Sequence, residues 1–162
     1  MGKLFRGIFV FIALLQATSP LYGQPVKEIR ATHLTYQRYL GETLSWKLKT
    51  EEFLKKGEDY FEAKNIYIEN IPKGIKISAE RGRYLLREDK FILTGRVKLY
   101  TEKEGEVYTE ELYFFPKRDL IEAPGEVLIK KGSIEVKGEG LTYQVSLGDF
   151  KLHKRARAQF RF

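Results

Sequence analysis

Two histidines and a few adjacent carboxylates are the only residues from which catalysis would have to be assembled. His33 and His153 are separated by most of the chain and both fall on the polar side of strand-like segments, where a surface role is expected. Glu51 and Glu52, like Glu110 and Glu111, are sequence neighbours. In a strand such neighbours point to opposite sides, so they cannot act as acid and base on one bond. The chain has no cysteine, which removes disulfides, thiolate zinc sites and thiol nucleophiles together. It leaves the compartment open, because extracytoplasmic proteins need not use disulfides. No metal-ligand spacing and no phosphate loop is present in the sequence. The expectation is a protein without enzymatic activity, cofactor or metal. The enzyme alternative, a hydrolase working through Glu or Asp, would be revealed by turnover of a glycan.

The chemistry the residues do support is burial of apolar surface, and strands must position it. In EDKFILTGRVKLY, Phe91, Leu93, Gly95, Val97 and Leu99 share one face, while Ile92, Thr94, Arg96, Lys98 and Tyr100 share the other. A two-residue period of this kind predicts a half-buried strand. The pattern recurs: Tyr84, Tyr113 and Tyr143 are followed seven residues later by Phe91, Leu120 and Phe150, with 29 and then 30 residues between tyrosines. Each unit reads as a β-hairpin. Gly95 and, one residue late, Gly125 interrupt the first two units and are expected to bend their strands; leaving room for a ligand is the alternative. The third unit lacks that glycine. Roughly ten strands are expected, with Glu51 to Lys56 as a single helical turn.

Charge is distributed unevenly. Lys3 and Arg6 at the start, and Lys151, Lys154, Arg155, Arg157 and Arg161 at the end, account for the whole net charge of +7, leaving 22 basic residues against 22 acidic between them. A nucleic-acid-binding domain would carry a basic face within its fold, so no nucleic-acid partner is expected. Behind Arg6 comes GIFVFIALL, and no charge follows until Lys27. Residues 1–26 therefore read as a signal peptide or a single transmembrane anchor. Either places residues 27–162 outside the cytoplasm as one domain.

The stretches GETLSWKLKTEEF, IKISAERGRYLLREDKFILTGRVKLYTEKEGEVYTEELYFFPKRDLIEAPGEVLI and IEVKGEGLTYQVSLGDFKL resemble the LptC family of the lipopolysaccharide export bridge, over residues 29 to 160. The paired pattern of Ala79, Tyr84, Phe91, Gly95 and Val97 with Leu112, Tyr113, Leu120, Gly125 and Val127 is shared with the soluble bridge protein LptA. Gly41, Leu44, Trp46 and Leu48 favour LptC.

The resemblance implies an all-β fold, an open twisted jellyroll of repeated antiparallel hairpins behind one hydrophobic segment. It also implies an apolar groove that holds lipopolysaccharide acyl chains in the periplasm, beside the inner membrane. By alternation, Leu86, Phe91, Leu93, Val97, Leu99, Leu112, Phe114, Val127, Ile134, Val136, Leu141 and Phe150 point inward. They are the expected groove, or else an ordinary closed core. The family's carboxy-terminal edge pairs with an LptA-type jellyroll, which here falls on Phe150, Leu152, Lys154, Ala156 and Ala158; the other edge meets the transporter subunits LptF and LptG. A soluble LptA-like bridge protein and a structural edge-docking adaptor without lipid stand as alternatives.

Overall fold

The computed structural model describes residues 28–161; the amino-terminal hydrophobic segment expected at residues 1–26 lies outside them. Nine strands follow one another: β1 (Glu28–Leu40), β2 (Thr43–Lys56), β3 (Tyr60–Asn70), β4 (Ile75–Leu85), β5 (Lys90–Thr101), β6 (Gly105–Phe115), β7 (Leu120–Lys131), β8 (Ile134–Gln144) and β9 (Asp149–Phe160), with one 3-10 turn at Pro116–Arg118. They form one sheet in chain order, each strand antiparallel to the next, so β1 and β9 are its two edges. Glu51 to Lys56 is not helical but belongs to β2. Phe53 there is paired on both sides, with Ala31 and with Ala63, and two flanking ladders outweigh a local helical preference.

Every strand is broken near its middle. The interruption falls at Asn65, Glu80, Gly95, Glu110, Gly125, Gly140 and Arg155, a spacing of fifteen residues in successive strands. His33 and Glu51 continue the line into β1 and β2. Several of these residues hold left-handed backbone: φ is +54° at His33, +52° at Asn65, +81° at Gly95 and +53° at Arg155. From β4 to β9 the interruptions shift the register as β-bulges do; such features bend a strand and raise its twist, and aligned across a sheet they make a crease. Gly95 is thus a bend, as expected. The third unit keeps the bend without a glycine, through Arg155.

At the crease the inward alternation slips by one in strands such as β1, β2 and β6, whereas β5 keeps its period through Leu93, Gly95 and Val97. Inward residues run Ile29, Ala31, then Leu34, Tyr36 in β1, and Leu48, Thr50, then Phe53, Lys55 in β2. In β6 they run Val107, Thr109, then Leu112, Phe114. Carbonyls freed by the interrupted ladder still need donors. The Thr50 hydroxyl lies 2.8 Å from the Glu52 and the Lys64 carbonyl oxygens, and Thr109 donates to the Glu126 carbonyl at 2.9 Å.

Folded along this crease, the sheet rolls over itself. Trp46 of β2 meets Phe114 of β6, four strands away, with ring centroids 4.6 Å apart. Leu93, Leu99, Leu112, Ile121 and Leu141 are almost completely buried between the layers. The repeat holds in its first and third units, where Tyr84 faces Phe91 and Tyr143 faces Phe150. In the second unit the register moves by one: Phe114 faces Ile121 and is buried, while Tyr113 turns outward under Lys90, whose ammonium lies 4.1 Å from its ring.

Candidate functional site

The roll does not close at its β1 end. A groove of about 540 Å³ runs along the inner faces of β1 to β4, within the size range of small-molecule sites. Seven aromatic residues line it, Tyr36 of β1 and six that form a belt. Phe53, Phe61, Tyr84, Phe91 and Phe114 pass through β2, β3, β4, β5 and β6 with successive centroid distances of 5.4, 5.9, 4.5 and 5.8 Å, and Trp46 returns the belt to β2. All six line the groove, with Ile29, Ala31, Leu34, Leu48, Ala63, Ile66 and Ile68 between them. Each aromatic pair contributes roughly 0.5–1.5 kcal/mol beyond its area, so the groove has a stiff wall. A larger depression of about 770 Å³ follows the outer side of the crease, but Arg96, Lys98, Glu110, Glu126, Glu139 and Arg155 line it. Val97, Val127 and Leu128 lie among these charges.

The mouth is polar and one carboxylate organises it. Asp89, with φ of +46°, accepts the Tyr84 hydroxyl at 2.5 Å on one oxygen and the Lys117 backbone N–H at 3.1 Å on the other. It thereby ties the β4–β5 turn to the 3-10 turn beyond β6. Burial, and then the Asp89 carboxylate, hold the Tyr84 phenol far above its usual range; burial likewise raises Tyr36, against the lowering effect of Arg38. Arg38, Lys47, Lys55, Arg83 and Lys117 line the groove against the carboxylates Glu58, Glu62 and Asp89.

The expected groove residues divide sharply. Leu86, Phe91 and Phe114 line the groove; Leu86 does so from a turn, half-exposed. Leu93, Val97, Leu99, Leu112, Val127 and Leu141 lie in the closed core, and Val136 and Phe150 pack against it. Ile134 does not point inward to the core: it opens β8 at the sheet's margin and is exposed. The groove's own residues in β1, β2 and β3 were absent from the expected set, although Ile29, Ala31, Leu34 and Tyr36 carry an apolar signal once the slip at His33 is allowed.

The expected docking residues lie on β9. Phe150 and Leu152 turn inward and Lys154, Ala156 and Ala158 are exposed. One side of the strand pairs with β8 and the other is an open edge. Among the described residues, no group of three or more histidine or carboxylate side chains is placed to hold a metal. His153 is exposed, 2.6 Å from the Thr142 hydroxyl.

Residues 22–161 match the family model described as "Lipopolysaccharide-assembly, LptC-related". Among solved structures, the chain is similar to the crystal structure of LptH from Pseudomonas aeruginosa, described as the LptA homologous periplasmic component of the conserved lipopolysaccharide transport device. The similarity has a TM-score of 0.56 at 6% identity, covering 72% of this chain and 94% of that one, and it establishes the shared fold. No curated protein matches the sequence.

Proposed function

Because the chain belongs to the LptC-related lipopolysaccharide-assembly family, with its role in lipopolysaccharide transport, we propose that it carries the lipid by seating acyl chains in the groove of β1 to β4. The observation behind this reading is the aromatic-ringed groove itself, open to solvent along an edge strand while the rest of the roll is packed. Each methylene moved out of water contributes about 0.8 kcal/mol, so ~5 methylenes give about 4 kcal/mol, equivalent to millimolar affinity. Weak binding that grows with chain length suits a carrier that must release its cargo.

In this proposal β9 passes the lipid on by strand addition to an LptA-type jellyroll, and the β1 edge receives it from the LptF and LptG subunits. The amino-terminal segment anchors the chain to the inner membrane. A photocrosslinking residue at Phe53 or Phe61 is expected to capture lipopolysaccharide, while one at Lys49, on the outer face of β2, is not. Equal capture at both faces, or none at Phe53 and Phe61, defeats the groove reading. Loss of capture with an intact edge complex favours an adaptor without lipid.

A further inference from the structure

Arg38 is the anomaly of the groove. It follows Leu34 and Tyr36 on the inward face of β1 and is only half exposed. A charge there requires a partner or water. Asp89 accepts the Tyr84 hydroxyl and the Lys117 N–H, one on each oxygen, and it makes no ion pair with Arg38 among the described residues. Neither Arg38 nor the Lys117 ammonium forms an ion pair among the described residues. Tyr36, Arg38, Asp89 and Lys117 all line this groove, and the Lys117 backbone N–H reaches Asp89 at 3.1 Å. The wall below is apolar and aromatic.

We propose that Arg38 and Lys117 form an anion subsite at the groove mouth, which takes a phosphate carried by the same amphiphile whose acyl chain lies along the aromatic belt. This rests on the acyl-groove reading and adds the headgroup chemistry to it. Charge complementarity selects the occupant: a neutral lipid satisfies the belt and leaves the cations bare, whereas a free phosphate satisfies the cations and leaves the belt wet. A planar guanidinium is suited to two parallel hydrogen bonds to phosphate, with the ammonium acting as a point charge.

Trp46, the single tryptophan, lines the groove and reports its occupancy by fluorescence. Full-length protein in detergent below its micellar concentration is titrated with lauroyl lysophosphatidic acid, with monolaurin and with inorganic phosphate. Lysophosphatidic acid is expected to bind about tenfold more tightly than monolaurin, as charge-assisted hydrogen bonds allow, with a preference that shrinks as salt rises. Inorganic phosphate is expected to leave Trp46 unchanged and to compete only weakly.

In Arg38→Gln/Lys117→Gln the preference is expected to vanish while monolaurin binding stays, and Arg38→Lys is expected to restore part of it. Equal binding of the two lipids by wild type, or a preference that survives the double variant, overturns the subsite and leaves the acyl groove standing. Full competition by inorganic phosphate overturns the single-amphiphile occupant. No response to either lipid overturns the groove reading itself, and the subsite with it.

Discussion

Gly95 and Gly125 look equivalent in sequence, and the crease predicts opposite effects for the same substitution at the two sites. At Gly95 φ is +81° and an added Cβ meets the Glu80 side chain, 2.8 Å from Oε2 and 3.0 Å from Cβ. Left-handed backbone costs an L-residue roughly 1–2 kcal/mol. Moving Glu80 aside also breaks its exposed 3.4 Å pair with Arg96, worth less than about 1 kcal/mol. Alanine's lower unfolded-state entropy returns about 0.5 kcal/mol, so Gly95→Ala is expected to destabilise by roughly 2 kcal/mol. At Gly125 φ is not left-handed and nothing lies within 4 Å of the added Cβ. Only the entropy gain remains, and Gly125→Ala is expected to stabilise by about 0.4–1 kcal/mol. Urea unfolding followed by Trp46 fluorescence separates the two, with midpoints about 1 M apart at a typical slope. Equal losses in both variants, or a Gly95→Ala protein within about 0.5 kcal/mol of wild type, would refute the crease as the feature that sets the bend.

Three further predictions follow from the packing and the edge. Phe114→Ala opens the contact between β6 and Trp46 and is expected to cost about 3–5 kcal/mol, with a red shift of Trp46 emission before any denaturant is added. Tyr84 has a phenol pKa raised in the folded state by burial and by Asp89. Its contribution is therefore complete below about pH 10, the unfolded value, and is lost as pH climbs toward the folded one; Tyr84→Phe is expected to flatten the alkaline loss of stability in thermal melts above pH 10. A proline scan over Phe150 to Ala158 is expected to abolish pull-down of an LptA-type jellyroll wherever an outward N–H is removed, whereas Arg155→Gln/Arg157→Gln leaves a complex that is less salt-sensitive; the opposite pattern would make recognition electrostatic.

The hairpins were legible because each carries a two-residue period between polar turns, and the period alone identifies Leu93, Val97, Leu99 and Leu112 as inward. It fails where the period itself slips. Reading Ile29 and Ala31 onward at even steps leads to His33 and Thr35 and loses Leu34 and Tyr36, so the groove strands look unpatterned. The same slip hides Phe53 and Phe61, and it made Glu51 to Lys56 look like a helical turn. Tyr113 was matched to Tyr84 and Tyr143 by residue type, yet Phe114 takes the inward place, because pairing with Ile121 and contact with Trp46 reward a buried ring without a hydroxyl. Whether an inward residue belongs to a closed core or to an open groove is not a property of its own strand. It depends on what covers that strand, and among the described residues β1 has no neighbour beyond it.

That edge position also explains how Arg38 is tolerated. On a central strand of the roll, an inward guanidinium would be cut off from water, and a buried unpaired charge costs several kcal/mol. On β1 the same side chain keeps access to solvent at the groove mouth. An inward charge on an edge strand is itself a recognised guard against edge-to-edge aggregation, and here the guard stands where cargo enters. Protection of the edge and recognition of a charged headgroup make the same demand: a cation that solvent reaches while the groove is empty and an anionic ligand displaces that solvent from. Arg38→Leu would satisfy the apolar belt and fail both, so it separates the groove's affinity for acyl chains from its selectivity for what they carry.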